Sequence, residues 1–427
     1  MEIKDLHKIF LNSKGVSTDT RTIKPGSIFF ALKGENFNAN NFAKKAIDLG
    51  SLFSVIDEIP EEENDKLILV EDVLKTLQQL ANFHRKFLGI PIIAITGSNG
   101  KTTSKELINS VLSQQFKTFA TRGNLNNHIG VPLTLLEMDE TINLGIVEMG
   151  ANHVGEIKEL CEIAAPNYGY ITNFGKAHLE GFGSEKGVVK GKSELYDYLI
   201  LNKGLIFINS DDPKQLKQKK DYNNIFTFSK SNNSNVSIFL NSEKPFLALN
   251  FLDQIIQTQL IGAYNFSNIA AAISIGSHFG LDLTKIKKGV ESYLPNNNRS
   301  QIIRKKSNTI VLDAYNANPS SMVAALDNFN AMKGENKIVI LGDMFELGDQ
   351  SYNEHKAIVG LINSLNFSSV YFVGEHFNKH ILSSKSEFFF KNRDDLDKQL
   401  KSLSINNSLI LVKGSRGMSL EGSVKYL

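Results

Sequence analysis

A short glycine-rich segment carries the residue types that hold a nucleotide phosphate. It follows an apolar run and precedes a helical pattern, and its residues are Gly97, Ser98, Asn99, Gly100, Lys101, Thr102 and Thr103. Glycines let backbone N–H groups turn toward phosphate oxygens, and the next helix adds its positive dipole end. Lys101 would reach the β- and γ-phosphates, and the Thr102 hydroxyl would bind Mg²⁺. The strict phosphate-loop pattern has glycine where Ile95 stands, so the match is to a shorter variant.

Three charged or metal-binding side chains follow the loop near the ends of predicted strands or on a helix. Glu148 ends the apolar run Leu144–Glu148, and His178 comes shortly after a second such run. Lys192 lies in a helix-like stretch that is rich in cations. Ligands bind outside the carboxyl ends of parallel strands, where a hard cation needs oxygen ligands. Alone, each residue also fits an ordinary surface role, but their order after the loop favours one joint site.

A phosphate loop indicates a nucleotide and leaves the reaction open. The chain lacks the Asn-Lys-x-Asp motif that reads guanine in GTPases. It also lacks an apolar run ending in the acidic pair of motor ATPases. Both observations favour a metabolic enzyme over a nucleotide-dependent switch or motor.

Composition limits the partners that this chain binds over a large surface. It has 427 residues with 41% hydrophobic and 22% charged side chains, which is typical of a globular protein. The 47 basic and 45 acidic residues give a net charge of +2, too small to attract a nucleic acid or an anionic membrane. The single cysteine, Cys161, has no disulfide partner, and the start lacks signal-peptide features. These features predict a soluble cytoplasmic protein without membrane insertion.

The order of strand-like and helical patterns predicts an α/β fold with three domains. Residues 1–86 form a small α/β domain, residues 87–296 a central parallel-sheet domain with the phosphate loop, and residues 297–427 a Rossmann-like domain. The segment 235–260 alternates as antiparallel strands do. The strands predicted for the two larger domains are 90–95, 144–148, 168–172, 205–209, 309–313, 337–341, 370–373 and 409–412.

Several longer motifs resemble those of the Mur ligase family of peptidoglycan synthesis. They lie in all three predicted domains and cover nearly the whole chain. The matching segments are 18–21, 31–34, 96–103, 123–132, 148–157, 262–268, 313–322, 342–348 and 413–418. The resemblance is strongest to the family member that adds a dipeptide, so the first domain is expected to bind a uridine nucleotide.

The resemblance implies a reaction and a set of catalytic residues. The expected reaction is the ATP-dependent ligation of D-alanyl-D-alanine to UDP-N-acetylmuramoyl-tripeptide through an acyl-phosphate, by a monomer. ATP and Mg²⁺ are the implied cofactors. Glu148 and His178 would hold the metal together with Thr102 and a carbamylated Lys192, while Arg299 would meet the γ-phosphate. The implied catalytic residues are Lys101, Glu148, His178, Lys192 and Arg299.

The same resemblance implies further binding residues. Asn265 and Asn268 would contact adenine, and Asp313 belongs to the phosphate and ribose region. The implied precursor- and dipeptide-binding residues are Thr18, Asp19, Arg21, Asn124, Asn126, Asn127, His128, Tyr315, Asn316 and Asn318. Uridine contacts around Asn38–Asn40 and the choice of lysine or diaminopimelate in the precursor stay open.

Two other enzymes of similar architecture are alternatives. The sister ligase that adds the third amino acid shares the pattern of the first domain, but its Asp-Asn-Pro-Arg motif is missing here. Folylpolyglutamate synthase is a remoter relative and would not need a uridine domain. Outside the enzymes, a nucleotide-dependent switch or scaffold is the alternative class.

Overall fold

Three large sheets follow one another along the chain. The computed structural model describes residues 1–60, 64–242, 246–296, 298–381 and 387–427. Within these ranges the first sheet has four strands, the central sheet seven and the last sheet six. Parallel pairing dominates all three, which confirms the predicted α/β class.

The predicted domain limits stay a prediction. Residue 86 lies near the end of a helix that spans Val73–Leu88. Asn297, the first residue of the predicted third domain, lies outside the described residues.

The first stretch is a small parallel sheet with helices. Its strand order is β1-β2-β5-β6, and β3 pairs antiparallel with β4. Helix α3 begins where the Asp72 side chain accepts a hydrogen bond from the Lys75 N–H and ends at Gly89, whose φ of 67° suits glycine. The elements are α1 (Ile3–Leu11), β1 (Val16–Ser17), β2 (Ile28–Phe30), β3 (Lys33–Gly34), β4 (Phe37–Asn38), α2 (Ala43–Asp48), β5 (Phe53–Ile56), β6 (Leu67–Leu69) and α3 (Val73–Leu88).

The central stretch forms a parallel sheet with strand order β13-β12-β11-β10-β7-β9-β8. All five residues of β7 are buried, as expected for a strand with neighbours on both sides. The elements of the sheet and its helices are β7 (Ile92–Thr96), α4 (Lys101–Leu112), β8 (Thr118–Ala120), α5 (Gly130–Leu136), β9 (Leu144–Glu148), α6 (Glu156–Ala164), β10 (Tyr168–Ile171), α7 (Leu179–Phe182), α8 (Glu185–Leu201), β11 (Leu205–Asn209), α9 (Pro213–Gln218), β12 (Ile225–Ser229) and β13 (Val236–Ser237).

The alternating segment is only partly the antiparallel unit that its sequence predicts. It forms an antiparallel sheet from β14 to β16, but β13 pairs parallel with β12. The Asn235 side chain accepts hydrogen bonds from the backbone and hydroxyl of Thr227, which holds β13 beside the central sheet. The remaining elements are β14 (Phe239–Ser242), β15 (Ala248–Phe251), β16 (Gln254–Gln257), α10 (Phe266–His278) and α11 (Leu283–Ser292).

The last stretch is a sheet with strand order β17-β18-β22-β19-β20-β21. The four predicted strands are present. The sequence does not predict the two edge strands, because the apolar run is only two residues long in β17 and three in β21, too short to distinguish a strand from other structure. The elements are β17 (Gln301–Lys305), β18 (Asn308–Asp313), α12 (Pro319–Ala331), β19 (Asn336–Gly342), α13 (Ser351–Asn363), β20 (Ser369–Val373), α14 (Glu375–Asn378), β21 (Glu387–Phe390), α15 (Arg393–Ser402) and β22 (Ser408–Lys413).

The three stretches share apolar contacts. One continuous buried cluster includes Leu77 from the first stretch, Val147 from the second and Leu341 from the third. Among the described helices, none combines the length and apolar character needed to cross a membrane.

Candidate active site

The glycine-rich loop joins β7 to α4, and β7 is an inner strand of the middle sheet, between β10 and β9. Gly97 and Gly100 have φ angles of 138° and 80°, which favour glycine. A Cβ on Gly97 would lie 2.0 Å from the Thr172 hydroxyl, and one on Gly100 would lie 2.6 Å from the Asn268 side chain. The loop therefore needs glycine for both its conformation and its packing. Its turn directs the N-terminus of α4, with the unpaired N–H groups of a first helical turn, into a cavity.

Lys101 lies at the start of α4 and turns back over the loop. Its ammonium donates a 2.8 Å hydrogen bond to the Gly97 carbonyl. Desolvation lowers the pKa of Lys101, and the charge of Arg299 lowers it further. Both cations line the same cavity, where a polyanion would be stabilised by the pair.

Glu148 ends β9, the strand beside β7, and is 2% exposed. Its Oε1 accepts hydrogen bonds from Thr102 Oγ1 at 3.2 Å and from Asn126 Nδ2 at 2.8 Å. Its Oε2 is buried and has no hydrogen-bond partner. A buried carboxylate oxygen without a partner is costly unless it meets a cation. This residue therefore fits a metal ligand.

The described residues contain no group of three or more histidine, cysteine or acidic side chains arranged to hold a metal ion. Any ion at Glu148 would thus take further ligands from a hydroxyl such as that of Thr102, from water or from substrate oxygens. Magnesium accepts such a set, because it usually retains several waters beside one or two carboxylates.

His178 meets the C-terminal part of the chain. Its Nδ1 contacts the carboxylate of Glu346, which follows β19, and the hydrogen bond from His178 lowers the pKa of Glu346. The Glu180 N–H donates to the Glu346 carbonyl at 3.3 Å. The histidine is therefore held at the junction of the middle and last stretches.

Lys192 is fully buried on α8. Its ammonium donates a 2.9 Å hydrogen bond to the Ala151 carbonyl and lies 5.1 Å from the Phe182 ring centroid. Desolvation lowers its pKa well below the usual value, and the charge of Lys101 adds to this effect. Burial therefore shifts the balance at this position toward the uncharged amine. The side chain does not line the cavity itself.

Two asparagines at the start of α10 form one connected network behind the loop. Asn268 Nδ2 donates to Asn265 Oδ1 at 2.8 Å, and Asn265 Nδ2 donates to the Ile261 carbonyl at 2.9 Å. Beside them the Tyr264 hydroxyl and the Ser300 hydroxyl are 2.8 Å apart. Since these groups line the cavity next to the loop, they are placed to face a nucleotide base or sugar.

Residues of the last stretch close the other side of the cavity. The Arg299 guanidinium lies over the Tyr315 ring, 3.7 Å from its centroid, and its Nε has no hydrogen-bond partner. Asp313 is fully engaged, because Oδ2 contacts the Lys413 ammonium at 2.6 Å and Oδ1 accepts from the Ser300 N–H at 3.1 Å. The arginine is thus available to an anion, whereas the aspartate is neutralised internally.

These groups surround one cavity of about 980 Å³ between the middle and last stretches. Most of the site residues expected from the sequence line it. They are Ser98, Asn99, Gly100, Lys101, Thr102, Thr103, Asn124, Asn126, Asn127, His128, Glu148, His178, Asn265, Asn268, Arg299, Asp313, Tyr315, Asn316 and Asn318. The expected residues that do not line it are Thr18, Asp19, Arg21, Gly97 and Lys192.

Several cavity residues were not among the expected site residues. They include Asn173, Lys214, Ser320, Glu346 and Lys413. Three of them lie in motifs that resemble those of the family, namely Ser320, Glu346 and Lys413. The resemblance therefore covered these positions but implied no role for them. Asn173 follows the carboxyl end of β10, a position where ligands of parallel sheets bind, so a signal was available for it. Lys214 lies at the start of α9, a position that the sequence pattern does not single out.

Asp19 and Arg21 form a separate exposed pair in the first stretch. The guanidinium holds both oxygens of the carboxylate, with a shortest distance of 2.6 Å. These hydrogen bonds lower the pKa of Asp19 to about 2. Asn40 nearby is engaged with Asp57 at 2.8 Å. The structure does not bring these groups to the cavity.

Comparison with known proteins decides the family. The Mur ligase middle domain matches residues 95–276, and the Mur ligase, glutamate ligase domain matches residues 298–416. A UDP-N-acetylmuramoyl-tripeptide–D-alanyl-D-alanine ligase of Bacillus subtilis (strain 168) is 34% identical over 424 residues, covering 97% of this chain and 93% of the relative. The chain belongs to the Mur ligase family. An Escherichia coli (strain K12) ligase with the same name is 33% identical and covers 96% of this chain and 93% of its own.

Solved structures of the family support the same assignment. The structure of MurF from Acinetobacter baumannii has a TM-score of 0.88 at 30% identity, covering 99% of this ligase and 97% of that chain. The MurF ligase of Thermotoga maritima, solved in complex with ADP, has a TM-score of 0.85 at 25% identity, covering 98% and 97%. The predicted family is therefore confirmed, while the roles of individual site residues stay predictions.

Proposed function

We propose that this ligase joins D-alanyl-D-alanine to UDP-N-acetylmuramoyl-tripeptide at the expense of ATP, giving ADP, phosphate and the pentapeptide precursor. The full-length relatives carry this activity in their names. The observation that supports it most directly is the cavity between the phosphate loop and the last stretch, where Glu148 and Arg299 each present an unpartnered polar atom.

The chemistry requires activation of a carboxylate. A carboxylate resists attack by an amine because its leaving group would be oxide. In the first step the tripeptide carboxylate attacks the γ-phosphorus, the bond to ADP breaks and an acyl-phosphate forms. In the second step the amine of the dipeptide attacks the acyl carbon, phosphate leaves and the amine loses a proton.

Two cations of this chain would offset the repulsion between the approaching anions. Lys101 is held over the loop, and Arg299 is oriented by stacking on Tyr315. Fixed charges of this kind stabilise the transferring phosphoryl group without reorganising during the step. Because Arg299 belongs to the last stretch, the catalytic set is complete only when that stretch is closed on the loop.

Mg²⁺ fits the donor set at Glu148. The buried Oε2 has no partner, and the hydroxyl of Thr102 lies 3.2 Å from the other carboxylate oxygen. When bound there, the ion would neutralise phosphate charge and orient the γ-phosphate. Asn126 would keep the carboxylate in place through its 2.8 Å hydrogen bond.

Lys192 is proposed to carry a carbamate. Its neutral amine would add to the carbon of CO₂ and lose a proton, which converts a cationic side chain into a carboxylate-like one. The lowered pKa supports this, since only the uncharged amine is nucleophilic. Mass spectrometry under ¹³CO₂ would test it, with Lys192→Arg as the variant that cannot be modified.

The first stretch would bind the uridine part of the precursor, the middle stretch ATP and the last stretch the dipeptide, with domain limits near residues 86 and 296. Asp19 and Arg21 support the first assignment because they are exposed and preorganised. A cytoplasmic location belongs to this proposal, because the reaction consumes ATP. A monomeric state also stays a prediction, which light scattering would check.

One assay tests the function. Purified protein with Mg-ATP is given the lysine or the diaminopimelate precursor, and phosphate release is measured with and without D-alanyl-D-alanine. We expect release that depends on the dipeptide with at least one precursor. With ¹⁸O in the terminal carboxyl group of the peptide, the released phosphate should carry label. Unlabelled phosphate from active enzyme would contradict the acyl-phosphate route.

A further inference from the structure

The side chain of Asn99 points away from the phosphate loop and toward the last stretch of the chain. Its Oδ1 accepts a 2.7 Å hydrogen bond from Asn318 Nδ2, and its Nδ2 donates a 2.9 Å hydrogen bond to Ser320 Oγ. Ser320 Oγ in turn donates to Asn318 Oδ1 at 2.9 Å. The three side chains therefore form a closed ring, named here the Asn99 ring, in which each group donates once and accepts once within the ring.

Both halves of the ring are fixed by their own surroundings. On the loop side, the Asn99 N–H donates to Asn173 Oδ1 at 3.1 Å, and its carbonyl accepts from the Thr172 hydroxyl at 2.6 Å. On the other side, Asn318 is the N-cap of α12 and accepts from the Ser321 N–H at 2.9 Å. The Asn99 backbone and the Asn318 side chain are therefore already ordered when the halves meet, which favours the contact.

The packing beneath the ring is independent evidence of a built contact. A Cβ on Gly175 would lie 2.7 Å from Ser320 Oγ and 3.0 Å from Asn99 Nδ2. A larger residue at that position would force the two side chains to shift, so glycine suits the close approach of the two halves. Asn318 is 9% exposed and Asn99 and Ser320 are half-buried, so the ring is partly shielded from water. Hydrogen bonds in a shielded, cyclic arrangement strengthen one another.

We propose that the Asn99 ring is a latch that fastens the last stretch directly to the phosphate loop in the closed enzyme. Asn99, Asn318 and Ser320 are then positioning residues, which act by holding Arg299 and the loop in register. The Asn99 side chain, expected from the sequence to contact the nucleotide, serves closure instead. The proposal goes beyond the reaction, since it holds for any acceptor.

Two variants break the ring while sparing its surroundings. Asn318→Asp keeps the oxygen that caps α12 but removes the donor to Asn99 and places a carboxylate beside Asn99 Oδ1. Ser320→Ala removes the bridging hydroxyl. Asn353→Asp and Ser364→Ala, exposed positions on or just after α13, are the matched controls.

The test measures closure by small-angle X-ray scattering while a non-hydrolysable ATP analogue with magnesium is added. Losing one neutral hydrogen bond of this kind lowers the ratio of closed to open enzyme by about fivefold. We expect both ring variants to be more open than wild type at matched analogue concentrations, with unchanged melting temperature, whereas both controls follow wild type. Combining Asn99→Ala with Ser320→Ala should open the enzyme no further than Asn99→Ala alone.

The contrary results are distinct. If the scattering profiles of both ring variants equal that of wild type at every analogue concentration, the Asn99 ring is not a latch. If Asn318→Asp lowers the melting temperature and Ser320→Ala has no effect on closure, the cluster only caps α12 and the proposal fails. Wild type that closes with an intact ring but forms no amide would instead contradict the proposed function.

Discussion

Two carboxylates at strand ends face the same cavity and differ in what surrounds them. Glu148 in the middle stretch leaves one buried oxygen without a partner. Asp313 in the last stretch has both oxygens engaged, by Lys413 and by the Ser300 N–H. The cost of the first arrangement is repaid only by a bound cation, whereas the second is complete within the chain. We therefore expect Glu148 in the middle stretch to bind a cation, and Asp313 in the last stretch to stabilise the fold.

Lys101→Ala should have the largest effect, because it removes a cation from the half of the cavity that receives phosphate. Contacts of this type contribute about 3–4 kcal/mol to the barrier, so the rate should fall several hundredfold or more. Steady-state turnover with an unchanged melting temperature is the measurement. Near wild-type turnover by the folded variant would remove Lys101 from the mechanism.

Glu148→Gln keeps the shape of the side chain and removes its charge. We expect turnover to fall about a hundredfold and the magnesium concentration for half-maximal activity to rise. Stability in the absence of metal should stay equal or increase, since an unpartnered buried charge is lost. If the variant is less stable without metal and its magnesium requirement is unchanged, Glu148 acts as a structural carboxylate like Asp313 and not as a metal ligand.

Asp313→Asn should act in the opposite way, mainly on stability. It leaves the Lys413 ammonium, which is 2% exposed, without its charged partner. A buried donor left in this state costs about 2 kcal/mol, measurable by urea unfolding. The magnesium requirement should not change. If it rises as in Glu148→Gln, the two carboxylates share one role.

His7 and His84 are a second pair whose hydrogen-bonding partners lie within the protein, as they do for Asp313 and Lys413. His7 Nε2 lies 3.0 Å from His84 Nδ1, and His84 Nε2 lies 2.9 Å from the Met138 carbonyl oxygen. Burial lowers the pKa of both from 6.5, and His84 also lowers that of His7 by its charge. The unfolded chain therefore binds protons first as pH falls, so stability present above about pH 6.5 is lost below it.

The His7→Gln variant tests this titration. Glutamine retains a donor toward His84 and does not titrate, so the loss of stability between pH 7.5 and pH 5.5 should be smaller than in wild type. Urea unfolding at the two pH values measures it. An equal loss in both proteins would show that other groups cause the acid sensitivity.

Arg21→Ala should have the smallest effect on the fold. Its ion pair with Asp19 is exposed, and exposed pairs contribute little to stability. We expect an unchanged melting temperature and an unchanged ATP requirement, with a higher KM for the uridine precursor. An unchanged KM for the precursor would remove the pair from the uridine site.

The phosphate loop could be predicted because its signal is local, and about half of the residues that line the cavity were expected, many of them through the motifs that resemble those of the family. A strand, a glycine turn and a helix follow one another over a dozen residues around Lys101, and Glu148 ends the neighbouring strand. The edge strands β17 and β21 could not be predicted as strands. In β17 the apolar pair Ile302 and Ile303 stands among polar residues, and β21 is only four residues long, too short for its apolar run to distinguish a strand from other structure. The burial of Lys192 was equally hidden, because a cation-rich helix usually faces water.

The sequence by itself determined the resemblance to the Mur ligase family, the α/β class and the nucleotide that the loop serves, since each depends on residue types within short motifs. Only the tertiary structure decided how those residues are used. It turned the side chain of Asn99 toward Ser320, 221 positions away, and set Glu346 against His178. The physical reason is that such contacts depend on how sheets from distant parts of the chain pack together, which spacing along the chain does not specify.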